Sequence, residues 1–206
     1  MNSNALRTEL EKRKGRRDQI SDNLKACRKD IRIKERDLKK HEQAREIVKA
    51  VGLATQQQLE YHFSDIVTSA LEAVFPDPYS LSVKFVERRG KTECDLGFAR
   101  GDAVLDPLEA SGGGAVDVAS FALRIAAWSM QSPRSRPVLV LDEPFRHLST
   151  DLQSRAGAML RQISKKLHMQ MIIVTHEEEL EACADRLFEV RQVQGVSSVR
   201  SKIKET

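Results

Sequence analysis

The chain has 206 residues, 31% of them charged and only 5% aromatic, a balance suited to a helix-rich soluble protein with a long solvated element. Its three cysteines, Cys27, Cys94 and Cys183, are odd in number, far apart and without a CxxC, which excludes a disulfide framework and a cysteine zinc site and fits a reducing interior. No signal peptide is recognisable and no apolar run reaches the roughly 18 residues a membrane span needs, so a cytoplasmic protein with no membrane partner is expected.

Net charge is +4, unevenly placed: residues 1–50 hold sixteen Lys/Arg against nine Asp/Glu, leaving 18 against 21 for the rest. A basic arm on a slightly acidic body permits contact with double-stranded DNA, and equally describes a solvated helix surface.

Residues 6–48 read in alternating steps of four and three: Leu6, Leu10, Arg13, Arg17, Ile20, Leu24, Cys27, Ile31, Lys34, Leu38, His41, Arg45, Val48. Eight of the thirteen are apolar, and no proline interrupts them. This predicts a coiled-coil seam roughly 65 Å long, against the alternative of one amphipathic helix packed on a globular body. With no second heptad run in the sequence, the opposing helix is expected from another chain. Helical spacing continues over 55–75 until Pro76-Asp77-Pro78 stops it. Strands are predicted at Leu81–Val86 and Thr92–Phe98, joined through an Arg88-Arg89-Gly90 turn. Further on come a helix over 116–130, a strand Val138–Leu141, a helix over 151–167, a strand Met171–Val174, a helix over 177–183 and a strand near Arg186–Val190. Alternation of strands and helices predicts an α/β fold with parallel pairs. The expected organisation is a coiled-coil helix over 1–54, a head lobe over 55–191 and a flexible basic tail over 192–206.

Three segments carry chemistry. Val138-Leu139-Val140-Leu141 reads as a strand buried on both faces, with Asp142-Glu143-Pro144 at its carboxyl end, where ligands bind in open α/β sheets. An acid there can hold Mg²⁺ through its water shell, and a neighbouring acid can deprotonate a water attacking a phosphate. The other reading of the acids is a cap on the next helix. Ser111-Gly112-Gly113-Gly114 precedes a helix with no bulky residue in its first turn. Backbone N–H groups at such a start form an anion site, unless the segment is only a loop abutting a helix. Ile172-Ile173-Val174-Thr175-His176 is a strand ending in a histidine, available for a phosphate or for a structural role.

In order and spacing these segments resemble the C-terminal lobe of ABC-type ATPases, and with the coil and hairpin before them they are most similar to SbcC-like and structural-maintenance-of-chromosomes (SMC) ATPases. The resemblance runs from the coil to about residue 190. It implies an α/β ABC-ATPase C-terminal lobe, a mostly parallel sheet flanked by helices and preceded by a long coiled-coil helix. It further implies ATP and Mg²⁺ as cofactors and a role in DNA repair or recombination. Ser111, Gly112, Gly113 and Gly114 would be the signature motif that closes on ATP held by another head, and Leu148 with Ser149 the D-loop. On its own head's nucleotide, Asp142 would serve Mg²⁺, Glu143 would be the base and His176 the γ-phosphate sensor. Implied partners are a Walker A lobe bearing the opposing coiled-coil helix, a second ATPase head and an SbcD-like nuclease. The rival reading is a non-catalytic C-lobe that docks on a complete ATPase as a scaffold. Two departures stand out: Ser149 replaces the usual D-loop aspartate, and no Walker A motif is present. Gly90-Lys91-Thr92 mimics its end, but Phe85 occupies the position that GxxxxGK[ST] gives to glycine, and the following residues alternate as a strand.

Overall fold

The structure, a computed structural model, describes residues 3–203. The elements in order are α1 (Ser3–Val74), β1 (Ser80–Arg88), β2 (Lys91–Arg100), β3 (Ala103–Leu105), α2 (Pro107–Ala110), α3 (Gly113–Ser129), β4 (Val138–Asp142), α4 (Thr150–Leu167), β5 (Gln170–Val174), α5 (Glu178–Cys183), β6 (Arg186–Val193) and β7 (Val196–Ile203). The chain divides into two units at Thr55/Gln56.

In the first unit every described residue is helical, and Leu10, Ile20, Leu24, Ile31, Leu38 and Val48 of the seam are exposed. Neighbouring opposite charges pair along this helix: Glu9 with Arg13 at 3.0 Å, Glu11 with Lys14 at 3.3 Å, Arg17 with Asp18 at 2.8 Å and Asp22 with Lys25 at 3.3 Å. Such exposed pairs each add only about 0.2–1 kcal/mol, so the helix lacks a packed side of its own within this unit.

The second unit opens with the last turns of α1, which bury Val67, Leu71 and Val74. The Phe75 amide closes the last turn on the Leu71 carbonyl at 2.8 Å, and Pro76 blocks further propagation. β1 and β2 pair antiparallel with Arg88 opposite Lys91. Arg89 and Gly90 between them both have positive φ (52° and 70°), the signature of a two-residue hairpin turn. Gly90-Lys91-Thr92 is therefore a turn and strand start. Behind this hairpin, α3 places Val118, Phe121, Ala122 and Ile125 at helical spacing into the same core as Leu81, Val83 and Phe98.

β4 and β5 pair in parallel, Val138 opposite Gln170 through Asp142 opposite Val174, with α4 as the crossover. Two sequence expectations fail here. β4 is covered on one face only: Leu141 is buried, but Val138 and Val140 are 46% and 62% exposed, and Ile172 and Val174 of β5 are 47% and 55% exposed. An apolar run reports what both faces prefer, whereas burial needs a covering layer, which the described residues do not supply. The residues from Gln192, expected as a loose tail, instead close a hairpin, with β6 and β7 antiparallel from Arg186 opposite Ile203 to Val193 opposite Val196. The Gln194-Gly195 turn, with φ of 52° and 82°, makes that reversal possible. Residues 204–206 of the expected tail lie outside the described residues.

Candidate functional site

Parallel pairing brings Asp142 and Val174 to the same level, so the residues after each strand emerge side by side. The Glu143 amide extends the ladder by donating to the Val174 carbonyl at 2.8 Å. Beyond it the chain takes φ of 45° at Glu143 and 64° at Phe145, a left-handed backbone that costs a non-glycine residue about 1–3 kcal/mol. Burial of Phe145 holds the turn: its ring sits edge-on to Phe121 of α3 at 5.6 Å.

This turn aims Glu143 at His176, whose Nδ1 stands 2.9 Å from Oε2 of Glu143. That oxygen is shielded from solvent, and no donor among the described residues is lined up on it. The contact is thus a charge pair at hydrogen-bond distance rather than a straight N–H···O bond. Glu143, by this short contact first and by its charge second, raises the His176 pKa above its ordinary value. Nε2 of His176 lies 3.6 Å from Oε1 of Glu177, a weaker contribution of the same sign. The Thr175 hydroxyl accepts from the Glu177 amide at 3.1 Å and fixes the turn after β5.

Asp142, next to this pair, is exposed and has no ion-pair partner among the described residues. No group of three or more His, Cys, Asp or Glu among the described residues forms a cage for a metal. A single open carboxylate fits Mg²⁺, which keeps most of its waters and takes one or two carboxylates together with substrate phosphates.

The glycine segment sits beside the same turn. Asp106 caps α2, its carboxylate accepting from the Leu108 amide at 2.8 Å, and the Ser111 hydroxyl donates to the Pro107 carbonyl. Gly112 is the N-cap of α3, and both Gly112 and Gly113 are exposed. Gly113 and Gly114 are glycine for a steric reason: a Cβ on Gly113 would lie 3.1 Å from Cγ of His147, and one on Gly114 2.5 Å from Cδ2 of Leu148. Leu148 is accordingly buried, holding the turn against α3, while Ser149 is the N-cap of α4 without a side-chain cap bond. Sequence reading singled out the acids, His176, the glycines, Leu148 and Ser149. It missed Asp117 of α3, whose Oδ2 is 2.8 Å from Nδ1 of His147. The available signal was the i, i+4 spacing of Asp117 from Gly113, which puts the carboxylate on the side of α3 that meets the turn.

A parallel β-α-β unit with an acid pair and a histidine at its carboxyl end, next to a glycine-opened helix, defines the class by its fold: an α/β lobe of the kind found in SMC head domains. No family profile matches the sequence. The chain is 37% identical over 89 residues to the DNA double-strand break repair Rad50 ATPase of Methanopyrus kandleri, covering 42% of this chain and 10% of that protein. It is 29% identical over 145 residues to the Rad50 ATPase of Methanocaldococcus jannaschii, covering 70% of this chain and 14% of that protein. The matches thus span about a tenth to a seventh of these relatives' length. Among solved structures, the SMC head domain with a coiled coil and joint from Pyrococcus yayanosii superposes at a TM-score of 0.57, 22% identical, over 74% of this chain and 28% of that one. A structure from work on ATP-driven dimerization and DNA-stimulated activation of SMC ATPases superposes at 0.54, 22% identical, over 72% and 88%. The fold is that of SMC heads, and the sequence is similar to Rad50 ATPases.

Proposed function

We propose that this chain is the C-terminal lobe of an ABC-type ATPase head working in DNA repair or recombination, and that it hydrolyses ATP only when a Walker A lobe is added. The observation that carries the reading is the Glu143–His176 pair at the carboxyl end of a parallel strand pair, beside an open Asp142. Asp142 would hold Mg²⁺, which shields phosphate charge when bound. Glu143 would take the proton of the attacking water, and His176 would follow the γ-phosphate. Ser111, Gly112, Gly113 and Gly114, with Leu148 and Ser149 beside them, would meet the nucleotide of a second head. One solved neighbour belongs to SMC ATPases described as dimerizing under ATP, which supports that arrangement.

The exposed apolar face of Val138, Val140, Ile172 and Val174 supports the need for a second lobe, as does the edge of β5 turned away from β4, unpaired among the described residues. The opposing coiled-coil helix would come with that lobe and cover the exposed seam. An SbcD-like nuclease at the base of the coil completes the proposed assembly.

Double-stranded DNA would meet the first unit on a different stretch from the densest basic run. That run is Arg13, Lys14, Arg16 and Arg17, and all of it but Arg16 is matched by a neighbouring acid. Arg28, Lys29, Arg32 and Arg36 share one helix face with Lys25, and these four, unlike Lys25, have no ion pair among the described residues. Free cations at one-turn spacing suit successive phosphates.

The deciding experiment is ATP turnover by the chain with and without a Walker A lobe from the same genome. Activity is expected only in the mixture, with Glu143→Gln retaining ATP while losing turnover. Stable association with no turnover would favour the scaffold role instead.

A further inference from the structure

The turn that carries Glu143 is fastened to the first half of α3 at four places. Phe145 packs edge-on to Phe121, Leu148 fills the space beside Gly114, and the His147 imidazole lies over Gly113. The fourth fastening is polar: Nδ1 of His147 meets Oδ2 of Asp117 at 2.8 Å, between residues 30 apart in sequence. The first three are fits of shape, which tolerate sliding. Only the fourth has direction, so it alone fixes the register of the glycine segment on the turn. Asp117 is more sheltered than His147, with 28% of its side chain exposed against 48%, so the carboxylate is the fixed partner and the imidazole the one held.

We propose that Asp117 and His147 are positioning residues: their contact latches the Ser111–Gly114 segment to the Asp142–Leu148 turn, and a displacement of the glycine segment is carried through it to the Glu143–His176 pair. The route is short. His147 lies four residues beyond Glu143, and the intervening backbone passes through the positive φ of Phe145, a conformation that persists only while its surroundings enforce it. Releasing His147 removes the one directional restraint between the far end of that turn and α3 among the described residues, and the turn, closed on itself by the Leu148 amide donating to the Phe145 carbonyl at 3.0 Å, then shifts as a unit and carries the Glu143 carboxylate off His176. This rests on the composite-site reading, in which the glycine segment serves the opposite head's nucleotide and Glu143 serves its own. The latch then makes the base of one ATP site answer to the occupancy of the other.

The test reads the ring-nitrogen NMR signals of His176 in the chain by itself at about neutral pH. Glu143→Gln sets one reference, with the ionic partner removed outright. Asp117→Ala and His147→Ala are expected to move the His176 signals from the parental positions towards that reference. Asp117→Asn keeps an acceptor for the Nδ1–H of His147 and is expected to restore the parental signals. His147→Asn serves as a second release variant should Asp117→Ala fail to fold. The proposal is overturned if folded release variants leave His176 at its parental signals while Glu143→Gln shifts them, if Glu143→Gln shifts nothing, or if Asp117→Asn behaves as the alanine variant does. No nucleotide enters this measurement, so the latch and the ATPase reading stand or fall separately.

Discussion

Glu143 and His176 make a pair whose strength depends on pH in a defined direction. The His176 pKa is raised in the folded chain, so its contribution to stability is fully present below the ordinary histidine value of about 6.5 and is lost as pH rises through the raised folded value. Denaturant unfolding of the parent and of His176→Ala should therefore differ most below about pH 6.5 and converge as pH rises through the raised folded value. A gap that widens on the alkaline side would contradict the pairing. A second residue-scale prediction concerns Gly114. Glycine to alanine inside a helix normally gains about 1 kcal/mol, but here the added methyl meets Cδ2 of buried Leu148 at 2.5 Å and the His147 carbonyl at 3.1 Å. Overpacking of this kind costs about 1–3 kcal/mol, so Gly114→Ala should lower the urea midpoint. At this scale the sequence exposes single residues well and pairs poorly. Asp142, Glu143 and His176 announce themselves by standing at the ends of apolar runs. Asp117 and His147 meet only because α3 and the β4–α4 turn are packed together, and no periodicity links positions 30 apart.

Elements made by local rules are those the sequence predicts. The β1–β2 hairpin follows from alternation and an Arg89-Gly90 turn, and α1 from a heptad spacing free of proline. β7 escapes notice because Val196-Ser-Ser-Val-Arg-Ser-Lys-Ile is polar enough to pass for a tail, and only its register with β6 makes it a strand. The open face of β4 escapes because hydrophobicity records a demand for cover and not the cover itself. Gly15 and Gly52 provide an element-scale contrast with Gly114: apart from the adjoining helix backbone, nothing among the described residues lies within 4 Å of a Cβ placed on either. Gly15→Ala and Gly52→Ala should each stabilise α1 by about 1 kcal/mol, read as increased helicity on heating. On the β4–β5 sheet, Val140→Lys should leave the chain's own stability within about 0.5 kcal/mol, since the side chain is already solvated. The same change should weaken association with a Walker A lobe at least tenfold, because a charge would then be buried without a partner. Unchanged affinity in a pull-down titration would show that this face is not the lobe interface.

For the whole molecule the expectation about DNA turns on which charges are already spent locally. Changing Arg28, Lys29, Arg32 and Arg36 to glutamine should flatten the salt dependence of duplex binding by a log–log slope of about 3–4, since every phosphate left without its cation lowers the slope by about 0.9. Changing Arg13, Lys14 and Arg17 should matter far less, their acids being close at hand. Equal slopes for both sets, measured by titration at two salt concentrations, would remove the basic face from consideration. The edge of β5 left unpaired among the described residues has a further consequence, for handling inside a cell. A strand edge next to four exposed aliphatic side chains is a template on which any extended segment can add a strand. Made without a covering lobe of the kind proposed, this chain should therefore gather into oligomers and be cleared by chaperones and proteases. Expressed together with a covering lobe, it should stay soluble, so that its yield rises with the partner's up to equal amounts and no further.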